Sequence, residues 1–175
     1  MYSGNMPPGQ PTFVTPEKPS TIKNAVYLIY ASVALSIIGV FVSFGMKDEI
    51  RDAAKEANGD LSSSELDTAV TVGLAIGTVL ALIGIALWLT MAHFIGKGKN
   101  WARITGTVFF GLNTVALLCG MATQSNPALT NVLSGLGWLL AVAITVLIWL
   151  PASSAYFKAV ENPYSAANVP GQAPR

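Results

Sequence analysis

From Ile104 to Phe157 the chain carries no charged side chain. A helix needs about 20 apolar residues to cross the roughly 30 Å hydrocarbon core of a bilayer. The run is too long for one crossing and suits two joined by a turn. Gln124, Ser125, Asn126 and Pro127 supply that turn, with proline placed where the start of a helix needs no N–H. The spacing predicts crossings over residues 104–122 and 128–150. Two more uncharged runs precede them. Residues 24–46 lie between Lys23 and Lys47, and residues 68–95 are interrupted only by His93 near their end.

Composition supports the same reading. Of 175 residues, 52% are hydrophobic and 11% charged, against about 25% charged in a typical soluble domain. Strands of a membrane barrel alternate apolar and polar residues over about ten positions, and residues 69–89 show no alternation. A continuous apolar run in lipid becomes a helix, because a helix satisfies its own backbone hydrogen bonds. The expected fold is all-α, a four-helix transmembrane bundle with both termini cytoplasmic and a short amphipathic helix in the outer loop. The first run is read as a retained span. It exceeds the roughly 7–15 apolar residues of a signal peptide, and no small-residue cleavage site follows it.

Charge placement sets the expected orientation. Lys18, Lys23, Lys97, Lys99, Arg103, Lys158 and Arg175 fall on the side of the two tails. The opposite side holds Lys47, Arg51 and Lys55 among Asp48, Glu49, Asp52, Glu56, Asp60, Glu65 and Asp67. Cytoplasmic segments are enriched in Lys and Arg, so the tails are expected inside a plasma membrane and the acidic loop outside. Lys97, Lys99, Trp101 and Arg103 are read as a cytoplasmic interface. Trp88, Trp149, Tyr156 and Phe157 are assigned to the headgroup zones, which aromatic residues favour.

Residues 1–21 and 158–175 are expected to be disordered tails around a membrane domain at 22–157. Pro7, Pro8, Pro11, Pro16 and Pro19 crowd the first, and neither tail has apolar residues enough for a core. In the outer loop Ile50, Ala54, Ala57 and Leu61 recur at helical spacing. Asn58 and Gly59 are a plausible stop, and Ser62 with Glu65 makes a capping box.

Few side chains within the spans suggest chemistry. Asn113 is the intramembrane polar candidate, read first as a hydrogen-bonding contact between helices and second as a pore-lining group. His93 is read as solvated at a span end. Gly73, Gly77, Ala81 and Gly84 form a small-residue stripe on span two, and Ser36, Gly39 and Ser43 lie on one face of span one. Both stripes are read as helix-packing surfaces, since small residues let backbones approach. No HExxH, GxSxG or phosphate-binding loop is present. The one cysteine, Cys119, excludes an intrachain disulfide. No catalytic residue, metal site or cofactor is expected. The partners expected are the lipid bilayer and either a larger membrane complex or a second copy of the chain. No nucleic acid is expected, because net charge is only +1.

Three features together carry a likeness: the Pro-rich N-terminal tail, the segment Gly98-Lys99-Asn100-Trp101-Ala102-Arg103, and Pro151-Ala152-Ser153-Ser154-Ala155-Tyr156-Phe157. In these the chain resembles small four-span membrane proteins of actinobacterial type. The resemblance implies topology and membrane location and supplies no activity. Claudin-like tetraspans fit poorly, because their paired extracellular cysteines are absent. The expected role is a non-catalytic accessory or structural subunit acting through helix–helix contacts; the alternative is a small transporter or channel subunit.

Overall fold

The computed structural model describes residues 16–57, 59–123 and 128–162. The expectations for residues 1–15, Asn58, the turn at 124–127 and residues 163–175 lie outside them. Every regular element among the described residues is an α-helix: α1 (Ser20–Gly45), α2 (Lys47–Ala57), α3 (Ser63–Gly96), α4 (Asn100–Thr123), α5 (Ala128–Trp149) and α6 (Pro151–Glu161). Four of them, α1, α3, α4 and α5, are long and apolar enough to cross a membrane.

Helix ends follow local chemistry. At the start of α3 the Ser62 hydroxyl accepts from Glu65 N–H, and the Glu65 carboxylate accepts from Ser62 N–H at 2.8 Å. Two orphan donors are thereby satisfied. At its end, Lys99 N–H reaches Phe94 O and Gly98 N–H reaches Ile95 O, both at 3.0 Å. This is the Schellman arrangement, which needs a left-handed residue just past the helix. Gly98 supplies it, with φ +71°. The final span stops at Trp149 because Leu150 precedes a proline. A following proline ring disfavours helical geometry, and Leu150 is extended at ψ 152°. Pro151 then opens α6 from its first position.

α1 packs most extensively on α5 and α3, while α4 leans on α5 and touches α3 lightly. Ile22, Ala25, Ile29 and Val33 form the buried stripe of α1. The first three meet Met91, Ala92 and Ile95 of α3, Ala102 of α4 and Ile144 and Ile148 of α5 in one apolar cluster. That cluster sits at the end of the bundle where the basic residues lie. A smaller buried pair, Leu66 and Val70, lies at the start of α3, the stretch tied to α2 by the Arg51–Asp67 ion pair.

The chain does not end its ordered part at Phe157. Residues 158–161, expected in a tail, continue α6, and residues 20–21 already belong to α1. Nor do Tyr156 and Phe157 lie free at the headgroup level. Phe157 is 1% exposed, because α6 folds back and docks on α1, α4 and α5. The Thr21 and Ser153 hydroxyls are 2.7 Å apart, which ties the start of α1 to α6. Both described ends of the chain therefore meet at the same end of the bundle.

Candidate functional site

At the opposite half the four long helices part around a cavity of about 560 Å³. Helical periodicity lines it, since residues three, four and seven apart share a face. From α1 come Ser32, Ser36, Gly39 and Ser43; from α3, Gly73, Gly77, Ala81 and Trp88. From α4 come Phe110, Asn113 and Gly120; from α5, Asn131, Ser134, Trp138 and Ala141. The space runs from the acidic-loop side of the bundle down to Trp88, Phe110 and Ala141. Beyond them the basic-end cluster of Ile29, Met91 and Ile144 closes the bundle. The result is a vestibule with a floor.

Its wall is apolar with a few placed polar groups. Ser36 and Ser43 donate to the carbonyls of Ser32 and Gly39 at 2.9 Å, and Thr78 donates to Leu74 O at 2.7 Å. Such bonds satisfy a hydroxyl proton without a partner helix and leave the oxygen free to accept. Trp138 Nε1 donates to Thr114 Oγ1 at 3.0 Å, and its ring lies 6.2 Å from that of Phe110, so α5 is fixed to α4 at this level. The Asn113 amide makes no hydrogen bond among the described residues, although it lines the cavity. An amide left dry and unpaired costs roughly 1–3 kcal/mol on mutational scales. Its position therefore suits a wetted or occupied vestibule. Among the described residues, no Asp, Glu, Lys, Arg, His or Cys lines the wall.

The small-residue stripes thus meet one another, but across space. A Cβ built on Gly39, Gly73, Gly77 or Gly84 would find no atom within 4 Å. Ser36, Gly39, Ser43, Gly73, Gly77 and Ala81 border the vestibule, whereas Gly84 lies off its wall. The close backbone approach read from their spacing is not what occupies these faces. Gly77→Leu is accordingly expected to place its side chain in open space. Its stability loss, measured by thermal unfolding in detergent, should fall well short of the roughly 1–3 kcal/mol typical of overpacking.

The basic end separates the four residues grouped from sequence as an interface. Lys97, Lys99 and Trp101 are exposed, and Trp101 rests against Phe94 at 4.9 Å between centroids. Arg103 is 7% exposed. Its guanidinium stacks 3.6 Å over Trp149 and lies 5.4 Å from the Phe157 ring. Its Nη2 donates to Ser154 Oγ at 2.9 Å. Nearby, Tyr156 Oη donates to Gly96 O at 3.3 Å, and burial pushes its phenol above the ordinary value. His93 is exposed and stands edge-on to Phe94 at 5.3 Å.

Asn131, Ser134, Thr78 and Trp138 of the vestibule were not singled out by the sequence. Asn131 had a readable signal, a strongly polar residue inside an uncharged span. Comparison with protein-family models, with curated proteins and with solved structures finds no match to this chain.

Proposed function

We propose that this chain is a non-catalytic multi-pass protein of the plasma membrane whose vestibule receives a small solute, either as a binding bundle or as a transport subunit. One observation carries the reading: the 560 Å³ space is walled by all four spans and faces the unpaired Asn113 amide. Ligand pockets occupy about 300–1,000 Å³ and pair apolar walls with a few polar groups. A wall without titratable side chains favours a neutral solute over an ion. The excess of Lys and Arg at the closed end supports a cytoplasmic floor and an outward-facing mouth. Likeness to actinobacterial four-span proteins in three sequence features supports the same topology.

A paired measurement on wild type and Asn113→Leu tests it: thermal stability in detergent beside uptake of small neutral solutes into liposomes. Loss of flux or binding with an unchanged melting temperature is the expected outcome. If wild type neither binds nor passes any solute of a size the vestibule admits, the reading fails. The second reading is an accessory subunit acting through helix–helix contacts. It draws on the light contact between α3 and α4 and on Gly84, which has open space beside it off the vestibule wall. A stoichiometric membrane partner retained in mild detergent, with no solute effect, favours that role.

A further inference from the structure

Arg103 is the only residue among those described with a buried side-chain nitrogen or oxygen that lacks a partner, its Nε. A buried guanidinium is ordinarily matched by a carboxylate. Here the only ion pair among the described residues is Arg51–Asp67, at the other end of the bundle. Nor does the rest of the sequence hold a candidate. Residues 1–15 and 163–175 contain no Asp or Glu, and the basic end has only Glu17 and Glu161 against seven cations. Among the described residues, the guanidinium finds one hydrogen-bond acceptor, the neutral hydroxyl of Ser154 on Nη2.

That hydroxyl belongs to the first turn of α6. The helix has no side-chain cap at Leu150, and the first of its N–H groups to find a backbone acceptor is that of Ser154, on Leu150 O. Pro151 and Ala152, ahead of it, are exposed. A helix N-terminus with free N–H groups attracts anions, and this one lies beside a cation held in place by stacking on Trp149. We propose that Arg103 and the N-terminus of α6 form a site for one phosphate group, carried on the headgroup of an anionic lipid in the leaflet at the basic end. The lipid source is favoured by the setting. The half-exposed Trp149 indole covers the guanidinium and donates to Thr107 at 2.9 Å, at the ends of two membrane spans. Arginine binds phosphate with a planar fork and two parallel hydrogen bonds. Two donors are at hand: Nη2 bonds only a replaceable hydroxyl, and Nη1, unlike the covered Nε, is not sealed from its surroundings.

The test uses the full chain in a neutral detergent, titrated separately with phosphatidylglycerol, phosphatidylcholine and sodium phosphate, with bound molecules counted by native mass spectrometry. One phosphatidylglycerol per chain is expected to bind in preference to phosphatidylcholine. Arg103→Gln is expected to weaken it about tenfold or more, the scale of losing a charged hydrogen bond. Arg103→Lys keeps the charge and loses the fork, so binding should fall to an intermediate level even if the glutamine variant fails to fold. Lys158→Gln removes an exposed charge from the same end and should change binding little. Sodium phosphate bound as tightly as the lipid would assign the site to the free anion, and Arg103→Gln must then abolish that binding as well. The proposal is overturned if no phosphate-bearing probe binds, if both Arg103 variants bind as wild type does, or if Lys158→Gln costs as much as Arg103→Gln.

Discussion

Phe157→Ala is expected to destabilise the bundle by about 3–5 kcal/mol, the cost of emptying a fully buried aromatic site. The ring is 1% exposed in the apolar cluster that closes the basic end. It is the largest fully buried side chain of α6. Its neighbours cannot readily collapse into the gap. Tyr156 is held through its hydroxyl to Gly96 O, and the Arg103 guanidinium is clamped between Trp149 and Ser154. For a chain of this size the change corresponds to a fall in melting temperature of roughly 6–20 °C, read in detergent on the full chain. Phe157→Leu, which keeps most of the volume, should lose much less. A shift for the alanine variant no larger than that of an exposed control such as Lys158→Ala would mean that α6 does not seal the bundle.

Gly98→Ala is expected to be nearly as damaging, for two reasons that add. The residue holds φ +71° at the end of α3, and left-handed backbone costs other residues about 1–2 kcal/mol. A Cβ there would also stand 2.8 Å from Tyr156 Cε1 and 2.9 Å from Val160 Cγ2. The Val160 Cβ at 3.2 Å cannot rotate away, so α6 itself must shift, at the roughly 1–3 kcal/mol typical of overpacking. The same methyl on Gly77 meets no atom within 4 Å. In a helix interior alanine is favoured over glycine by about 1 kcal/mol. Gly77→Ala and Gly98→Ala should therefore move stability in opposite directions in the same unfolding assay.

The four spans were legible because lipid imposes a simple rule. Uncharged runs of sufficient length, bounded by Lys23, Lys47 and Arg103 and split at Pro127, have few other solutions. The Ser62–Glu65 capping box was legible because its partners are three residues apart. What escaped depends on chain folded back from a distance. Arg103 at the edge of a span reads as a solvated interface charge until α6 covers it, and Tyr156 and Phe157 read as headgroup aromatics for the same reason. The vestibule was half legible. Spacing placed Ser36, Gly39, Ser43, Gly73, Gly77 and Ala81 on helix-packing faces, and polarity within an uncharged span singled out Asn113. Small residues serve equally to bring helices together and to leave room between them, so sequence could not choose. The bulky basic-end cluster closes the faces at one end, and the contact of Trp138 with Thr114 and Phe110 fixes α5 to α4 beside the open stretch.

The central claim, a bundle open to one side and floored at the other, is tested most directly by thiol accessibility in intact cells. Single cysteines are placed at Ser63, Asn113, Ile29 and Lys99 in a Cys119→Ser background, since the native thiol is exposed. A small, water-soluble, membrane-impermeant reagent should modify positions 63 and 113 from outside and leave 29 and 99 unmodified. Labelling at 99 with silence at 63 would invert the orientation, and a cysteine at 113 as unreactive as one at 29 would contradict the vestibule.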